Sequence, residues 1–97
     1  MSAAYSVTRR DSLGTSYQVY VHMVCDTSYP SGGYPVAGSD VGLGTITGMK
    51  MIATNTAAIL YQAQLDQEAG KVVVETGGAE ASGDVHTLEF DLEFTGI

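Results

Sequence analysis

The chain is poor in the residues that build covalent links, metal sites or strongly basic surfaces. It has one cysteine, two prolines and four lysine or arginine residues in a length of 97. Because an internal disulfide needs two thiols, Cys25 forms none, and a cysteine-rich zinc site is excluded for the same reason. A lone cysteine agrees with synthesis in a reducing compartment.

Long apolar runs are also missing. No stretch reaches the roughly 18 consecutive apolar residues of a transmembrane helix, so we predict no membrane partner. Residues 1–5 do not form a charged leader followed by an apolar run, and we therefore expect no secretory signal. The hydrophobic content is 44% and the mean hydropathy is +0.08, which suits a folded domain with one core.

The motifs of common enzyme classes are absent as well. The glycine-rich segment 77–83 lacks the Gly-Lys-Ser/Thr of a phosphate-binding loop, and no Gly-x-Ser-x-Gly occurs. His22 and His86 have neither H-x-H nor H-E-x-x-H spacing, so histidines at the rim of the fold are preferred over a metal site. We therefore predict that the protein is not an enzyme and needs no cofactor or metal.

Acidic residues outnumber basic ones and are unevenly placed. The formal net charge is −7. Residues 1–65 balance three acids with three bases, whereas residues 66–97 contain eight acids and a single base, Lys71. Because a surface of this sign repels phosphate groups, we expect no nucleic-acid binding. A solvated acidic face is the simplest interpretation, and a basic partner is the alternative.

Five segments have the composition or the alternation of β-strands. They are residues 15–25, 45–53, 57–65, 71–75 and 85–95. In the first, the odd-numbered positions from Tyr17 to Cys25 are apolar and share one face. In the second, Gly48 predicts a bulge or a close backbone approach. The third is short and leads through a turn into the fourth, so a hairpin is preferred over the competing helix.

The last segment carries the clearest alternation. Its apolar residues are Leu88, Phe90, Leu92 and Phe94, and its acids are Glu89, Asp91 and Glu93. This pattern predicts a half-buried strand with successive carboxylates about 7 Å apart, since each residue rises about 3.3 Å. Glycoside hydrolysis and calcium binding use carboxylates, but a strip that faces solvent or a partner is the preferred interpretation.

Residues 26–44 join two strands and contain both prolines. Proline fixes φ and paired glycines permit positive φ, so we predict a structured connection. Tyr29 and Tyr34 are predicted to pack back onto the core, with a carbohydrate-stacking platform as the weaker alternative. Residues 77–84 are predicted to form a flexible loop.

Two further predictions concern single positions. Ser39 or Asp40 is expected to cap one helical turn that runs through Val41. His22 and Cys25 lie three residues apart on a strand and therefore point to opposite faces, which disfavours a catalytic Cys–His pair. Cys25 is accordingly predicted to be a small buried apolar residue.

Together these segments predict an all-β fold. We expect an antiparallel β-sandwich or small barrel formed by residues 15–97 as a single domain. Residues 1–14 are predicted to form an extended N-terminal arm with room for a short strand.

The order of features resembles the small head decoration (cement) proteins of tailed bacteriophages. The apolar strand Tyr17–Cys25 is followed by Ser28-Tyr29-Pro30-Ser31-Gly32-Gly33, by Val41-Gly42-Leu43 and by the strand Ile46–Ile52. A hairpin turn at Asp66–Lys71 and an alternating strand Leu88–Gly96 complete the order. The resemblance covers residues 15–97, and Tyr-Pro-x-Gly-Gly is its most specific element.

This resemblance implies a virion protein, made in the host cytoplasm, that binds the major capsid protein on the outer capsid surface and stabilises the head. It implies a homo-oligomer, with a trimer favoured, and no cofactor. Because interfaces favour arginine and tyrosine, the candidate capsid contacts are Arg9, Arg10, Tyr29 and Tyr34. The alternatives are a tail or head-fibre subunit of a phage and a carbohydrate- or ligand-binding β-sandwich.

Overall fold

The computed structural model describes residues 3–12, 14–83 and 85–97. Its elements are the strands β1 (Ala4–Ser12), β2 (Tyr17–Val24) and β3 (Tyr34–Pro35), the 3-10 helix η1 (Gly38–Val41), β4 (Ile46–Thr54), the 3-10 helix η2 (Thr56–Ala58), and β5 (Tyr61–Asp66), β6 (Lys71–Thr76), β7 (Ala79–Glu80) and β8 (Glu89–Gly96). No α-helix occurs in these ranges, and the all-β prediction is confirmed.

The strands form two antiparallel sheets. The front sheet has the order β1-β2-β8-β4, and the back sheet has the order β3-β6-β5, with β7 pairing beside β3 on β6. In the β2–β8 ladder, Val21 lies opposite Leu92 and His22 lies opposite Asp91. Because side chains alternate along a strand, the first pair faces the core and the second pair faces outwards.

Both sheets contribute side chains to one core, which makes the described residues a single compact domain. The front sheet supplies Val19, Val21, Met23, Phe90, Leu92 and Phe94, and the back sheet supplies Tyr34, Ala63, Val72 and Val74. Phe90 and Phe94 are fully buried. Burial of one such side chain contributes about 1.5–3 kcal/mol, which the ordering of the chain largely offsets. The inward faces predicted for residues 15–25 and 85–95 are confirmed, but the last strand begins only at Glu89, because the Leu88 N–H donates to the Val85 carbonyl at 2.9 Å and closes a turn before it.

The N-terminal segment, predicted as an extended arm with room for a short strand, is a strand over most of its length. Residues 4–12 form β1, which pairs with β2 from Ala4 opposite Val24 to Ser12 opposite Tyr17, so this part of the chain is an edge strand of the front sheet. The Tyr5 side chain packs against the core, and its hydroxyl donates to the Pro35 carbonyl at 3.3 Å. Backbone pairing and this aromatic anchor explain why the segment is not a free arm.

The hairpin of β5 and β6 confirms the preference for strand over helix. Its turn closes where the Gly70 N–H donates to the Asp66 carbonyl at 2.9 Å and the Ala69 N–H donates to the Asp66 carboxylate at 3.1 Å. The start of the predicted strand is wrong, because residues 56–58 form η2. Asn55 caps η2 by accepting from the Ala58 N–H at 3.0 Å, which favours a turn there over an extended chain.

Register shifts occur at three points in the front sheet. The predicted bulge near Gly48 is confirmed by a shift between Ile46 and Gly48 in the β4–β8 ladder. A second shift in β4 lies between Met51 and Ala53, and a third in β1 lies between Val7 and Arg9. At each shift, one extra residue has no partner across the ladder. The side chains that follow it therefore point to the opposite face from the one that strict alternation predicts.

The connection between β2 and β4 is structured, as predicted. The predicted single turn through Val41 is confirmed as η1, and its N-cap residue is Ala37, not Ser39 or Asp40. Asp40 lies inside the turn and accepts from the Ala37 N–H at 2.8 Å. The later segment 77–84 was predicted to be a loop, and its described part contains the short strand β7.

Candidate docking surface

The outer face of the front sheet is open and polar. It consists of the side chains that point away from the core, among them Arg9 and Thr8 on β1, Tyr20 and His22 on β2, Glu89, Asp91 and Glu93 on β8, and Lys50 and Ile52 on β4. The ladder places Tyr20 opposite both Arg9 and Glu93, and Glu93 opposite Lys50. Three of its strands therefore bring charged side chains to one surface.

A shallow groove of about 350 Å³ crosses this face. It is lined by Thr8, Arg9, Tyr20, Val21, Ile52, Asp91 and Leu92. The side chains of Val21 and Leu92 are buried in the core, so these residues contribute backbone to the floor of the groove. Its volume suits a side chain or a small ligand.

Two β-bulges shape the groove from opposite edges of the front sheet. Thr8 is the extra residue in β1, and Ile52 is the extra residue in β4. Without the bulge, strict alternation from Tyr5 would turn Arg9 towards the core side. The bulge instead places both Thr8 and Arg9 at the groove. On the other edge, Ile52 keeps 48% of its surface exposed. Bulges commonly re-aim side chains in this way at functional surfaces.

The Arg9 side chain lies on the outer face of the front sheet and is exposed. Its guanidinium carbon lies 5.6 Å from the centre of the Tyr20 ring, and its Nε lies 3.1 Å from an Asp11 carboxylate oxygen. The side chain remains 68% exposed, so this ion pair adds little to stability. The contact with the Tyr20 ring and the ion pair with Asp11 hold the Arg9 guanidinium at the rim of the groove.

Arg10 lies on the opposite side of β1. It pairs with Val19, which faces the core, and its guanidinium carbon lies 4.3 Å from the centre of the Tyr17 ring. Arg9 and Arg10, both candidate capsid contacts, therefore point to opposite sides of β1. Only Arg9 belongs to the outer face.

His22 is held between two carboxylates of β8. Its Nδ1 lies 2.8 Å from an Asp91 oxygen, and its Nε2 lies 2.8 Å from a Glu89 oxygen. The hydrogen bonds to Asp91 and Glu89 raise the pKa of His22 above its ordinary value, against a smaller opposing effect of burial. The acidic strip predicted on the last strand therefore contacts a histidine and is not purely solvated.

Tyr29 and Tyr34, two of the candidate capsid contacts, are buried. Tyr34 has no exposed surface and Tyr29 has 8%. Their rings pack edge to face with centres 5.4 Å apart and an angle of 89° between the planes. The predicted packing onto the core is confirmed, and neither ring offers a face for stacking a sugar.

Hydrogen bonds satisfy both buried hydroxyls. The Tyr29 hydroxyl donates to a Glu80 carboxylate oxygen at 3.0 Å and accepts from the Val74 N–H at 3.0 Å. The Tyr34 hydroxyl donates to an Asp26 carboxylate oxygen at 2.8 Å. Burial raises the pKa of Tyr29 to about 12 and also raises the pKa of Tyr34. These tyrosines position the Ser28–Gly33 turn and do not form its outer surface.

The Tyr-Pro-x-Gly-Gly turn needs its second glycine for a steric reason. Gly33 has a φ of +109°, and a Cβ there would lie 2.6 Å from the Val72 carbonyl oxygen. Glu80 holds the turn from the other side, because its carboxylate also accepts from the Gly32 N–H at 2.9 Å. The turn is therefore clamped between β6 and β7.

The remaining sequence predictions concern thiol and metal chemistry. Cys25 is buried, and burial raises the pKa of its thiol to about 11, whereas His22 lies on the outer face. The predicted separation of the two side chains is confirmed. In residues 3–12, 14–83 and 85–97, no group of three or more histidine, cysteine, aspartate or glutamate side chains is placed to hold a metal ion. Within the same ranges, no helix is both long enough and apolar enough to cross a membrane.

Sequence reasoning missed the groove and a pair of exposed apolar residues. Tyr20 and Ile52 were not singled out, because their proximity depends on the strand order β2-β8-β4 and on the bulge at Ile52. Ile59 and Leu60 lie between η2 and β5 and are 71% and 81% exposed. The sequence did not indicate this exposure, because residues 57–65 were predicted to form one strand, whereas β5 begins only at Tyr61.

Comparisons with protein-family models, with curated proteins and with solved structures find no match for this chain.

Proposed function

We propose that the protein is a structural component of a tailed-phage virion that binds the outer surface of the major capsid lattice and stabilises the head. The observation that carries this proposal is the open outer face of the front sheet, where a groove with Arg9 at its rim and Ile52 in its wall sits on paired strands. A rigid face with exposed polar and apolar side chains suits adhesion to another protein surface. The order of sequence features from Tyr17 to Gly96 supports the same assignment.

The finer architecture belongs to this proposal. We favour a β-sandwich over a closed barrel, because the two sheets form separate ladders in the described ranges. The β4 and β5 edges meet through side chains, as where the Ala63 N–H donates to the Met51 sulfur at 3.4 Å. On the other side, Tyr5 reaches Pro35 through its hydroxyl. Such contacts close the sides of a sandwich without continuous backbone pairing.

The proposed partner is the major capsid protein, and the proposed location is the outer surface of the virion after synthesis in the host cytoplasm. Many copies that bind only the assembled lattice stabilise it by mass action, even when each contact is weak. A homo-oligomer, with a trimer favoured, would add avidity on the lattice. Nucleic acid and membrane are not proposed partners, since the net charge of −7 opposes binding to phosphate groups.

The test is co-sedimentation of the purified protein with expanded heads of the phage whose genome carries this reading frame. Arg9→Ala is the test variant, and Arg10→Ala is its matched control, because it removes the same charge from the opposite side of β1. We expect Arg9→Ala to lower the affinity about tenfold, which corresponds to about 1.4 kcal/mol, and Arg10→Ala to stay within about twofold.

Two outcomes would contradict different parts of the proposal. If the unaltered protein does not bind expanded heads, the capsid assignment is wrong. Gold-labelled antibody that decorates the tail would instead favour a tail subunit. If both arginine variants bind equally well, the capsid assignment stands, and the outer face of the front sheet is not the contact.

A further inference from the structure

We propose that His22, Asp91 and Glu89 form a proton-dependent latch on the outer face of the front sheet. In the protonated state, the imidazolium on β2 donates one hydrogen bond to each of the two β8 carboxylates. The bond to Asp91 holds that carboxylate beside the groove. Loss of the proton leaves the ring with one N–H, so only one of the two carboxylates keeps its hydrogen bond, and it makes this face more negative by one charge. All three residues belong to one chain, so the latch needs no partner and can be tested on the isolated protein.

The geometry of the ring selects the protonated state. Both ring nitrogens of His22 lie 2.8 Å from carboxylate oxygens, Nδ1 from Asp91 and Nε2 from Glu89. An ionised carboxylate only accepts hydrogen bonds, whereas a neutral imidazole has a single N–H to donate. One of the two contacts would therefore oppose a nitrogen lone pair to a carboxylate oxygen. Only the imidazolium, with a hydrogen on each nitrogen, satisfies both contacts.

The surroundings of the ring favour the same charge state. The residue opposite His22 on β1 is the uncharged Ser6, and its neighbours on the outer side of β2 are Tyr20 and Val24. The remaining charged groups of this face are Arg9 and Asp11 on β1, Glu93 on β8 and Lys50 on β4. Arg9 is paired with Asp11, and the ladder places Lys50 opposite Glu93. The two carboxylates in direct contact with His22 therefore dominate its environment.

Asp91 links the latch to the groove. Its side chain lines the groove and is 54% exposed, while one of its oxygens contacts the imidazole. When His22 loses its proton, Asp91 stands between Glu89 and Glu93 on the same face of β8 with no cation in contact. Repulsion within this row of acids, together with the loss of one hydrogen bond to the ring, then weakens the hold on the Asp91 side chain.

The sign of the pH dependence follows from the raised pKa. The ordinary pKa of histidine is about 6.5, and in the folded protein the hydrogen bonds to Asp91 and Glu89 raise it. The latch therefore contributes its full stabilisation below the unfolded value, and this contribution is lost as the pH rises through the folded pKa. Its size is limited, because the His22 side chain is 36% exposed and its charge is partly screened.

The first test is an NMR pH titration of the full chain. His86→Gln leaves His22 as the sole histidine, so its ring protons are observed without overlap. We expect the His22 midpoint to be higher in the folded protein than in the same variant unfolded in urea. Asp91→Asn and Glu89→Gln should each lower the folded midpoint.

Glu93→Gln is the matched control, because it removes a charge from the same face of β8 without removing a contact to the ring. We expect it to lower the His22 midpoint less than either contact variant does. A folded midpoint at or below the unfolded one would overturn the latch. An effect of Glu93→Gln as large as that of Asp91→Asn would also overturn it, because general surface charge would then explain the shift.

The effect on docking rests on the proposed function. A lattice surface that presents basic side chains to the groove should bind more tightly as the pH rises through the His22 midpoint, and His22→Gln should remove this dependence. If the NMR arm succeeds and head binding shows no pH dependence, the latch does not regulate docking. If heads are never bound, the capsid proposal fails while the NMR result still decides the latch.

Discussion

The Tyr29 hydroxyl and the Glu80 carboxylate meet at 3.0 Å across 51 positions of the sequence. This contact joins the turn after β2 to the short strand β7, and the same carboxylate oxygen accepts from the Gly32 N–H. Because the hydroxyl also accepts from the Val74 N–H, one tyrosine connects three segments of the chain. The Tyr-Pro-x-Gly-Gly turn is thus held by one side chain, that of Glu80, and by one backbone N–H, that of Val74, which are both far from it in sequence.

Replacement of Tyr29 by phenylalanine tests this network. The change removes the donor to Glu80 and leaves the Val74 N–H without its acceptor, so we expect a loss of about 1–3 kcal/mol in the free energy of unfolding. Urea denaturation followed by circular dichroism measures it. Tyr20→Phe is the control, since Tyr20 lies on the outer face outside this network, and its effect should stay below about 0.5 kcal/mol. Equal stability of the two variants would show that the hydroxyl contacts contribute nothing.

Gly33→Ala probes the close approach of the turn to β6. A methyl group would have to form at a φ of +109° and 2.6 Å from the Val72 carbonyl oxygen, so backbone must move. We expect destabilisation well above the roughly 1–2 kcal/mol that a left-handed conformation alone costs a residue with a side chain. Gly77→Ala isolates that backbone term, since Gly77 has a φ of +61° with open space around it. If both variants unfold at the same urea concentration, the contact with Val72 is not tight.

Phe94→Ala tests the core face of the last strand. Phe94 is fully buried, and truncation of such a side chain costs about 3–5 kcal/mol. For a domain of this size, that loss approaches the total stability, so we expect a sharply lowered melting temperature or failure to fold. Ile59→Ala, at a position 71% exposed, should change stability by less than about 0.5 kcal/mol. A melting temperature unchanged in Phe94→Ala would contradict the position of the core.

The thiol of Cys25 offers a probe of opening. Burial raises its pKa to about 11 and keeps it from solvent, so in the folded protein the thiolate forms only at strongly alkaline pH. At about pH 8, where a free thiol with a pKa near 8.5 reacts readily, we expect a disulfide reagent to label Cys25 slowly in buffer and rapidly in urea. Rapid labelling in buffer, with the far-ultraviolet spectrum unchanged, would contradict the burial of this residue.

Local patterns in the sequence predicted the strands well and the surface poorly. The alternation around Leu92 and the apolar odd-numbered face from Tyr17 to Cys25 were enough to place two central strands and their core sides, because burial on one face imposes a period of two. The same rule fails in β1. Alternation from Tyr5 would place Arg10 on the outer face, and the bulge at Thr8 reverses the two arginines.

The candidate site could not be predicted because it depends on neighbours that are distant in sequence. His22 and Asp91 are 69 positions apart, and only the pairing of β2 with β8 brings them into contact. The acidic alternation of residues 89–93 gave the correct face, but nothing in the local sequence identified the strand beside it. The sequence suggested both a packing role and a contact role for Tyr29 and Tyr34. Their hydrogen bonds to Glu80 and Asp26, which the local sequence does not show, favour the packing role.

The bulge in the edge strand β1 affects whether copies of the protein associate through their sheet edges at high concentration. A long, straight edge strand is a template for another chain, and β1 is the strand exposed at that edge. Its extra residue at Thr8 breaks the spacing of unpaired amides, and Arg9 and Arg10 would meet like charges in an approaching copy. Edge-to-edge stacking of copies of this chain into fibrils through β1 is therefore disfavoured.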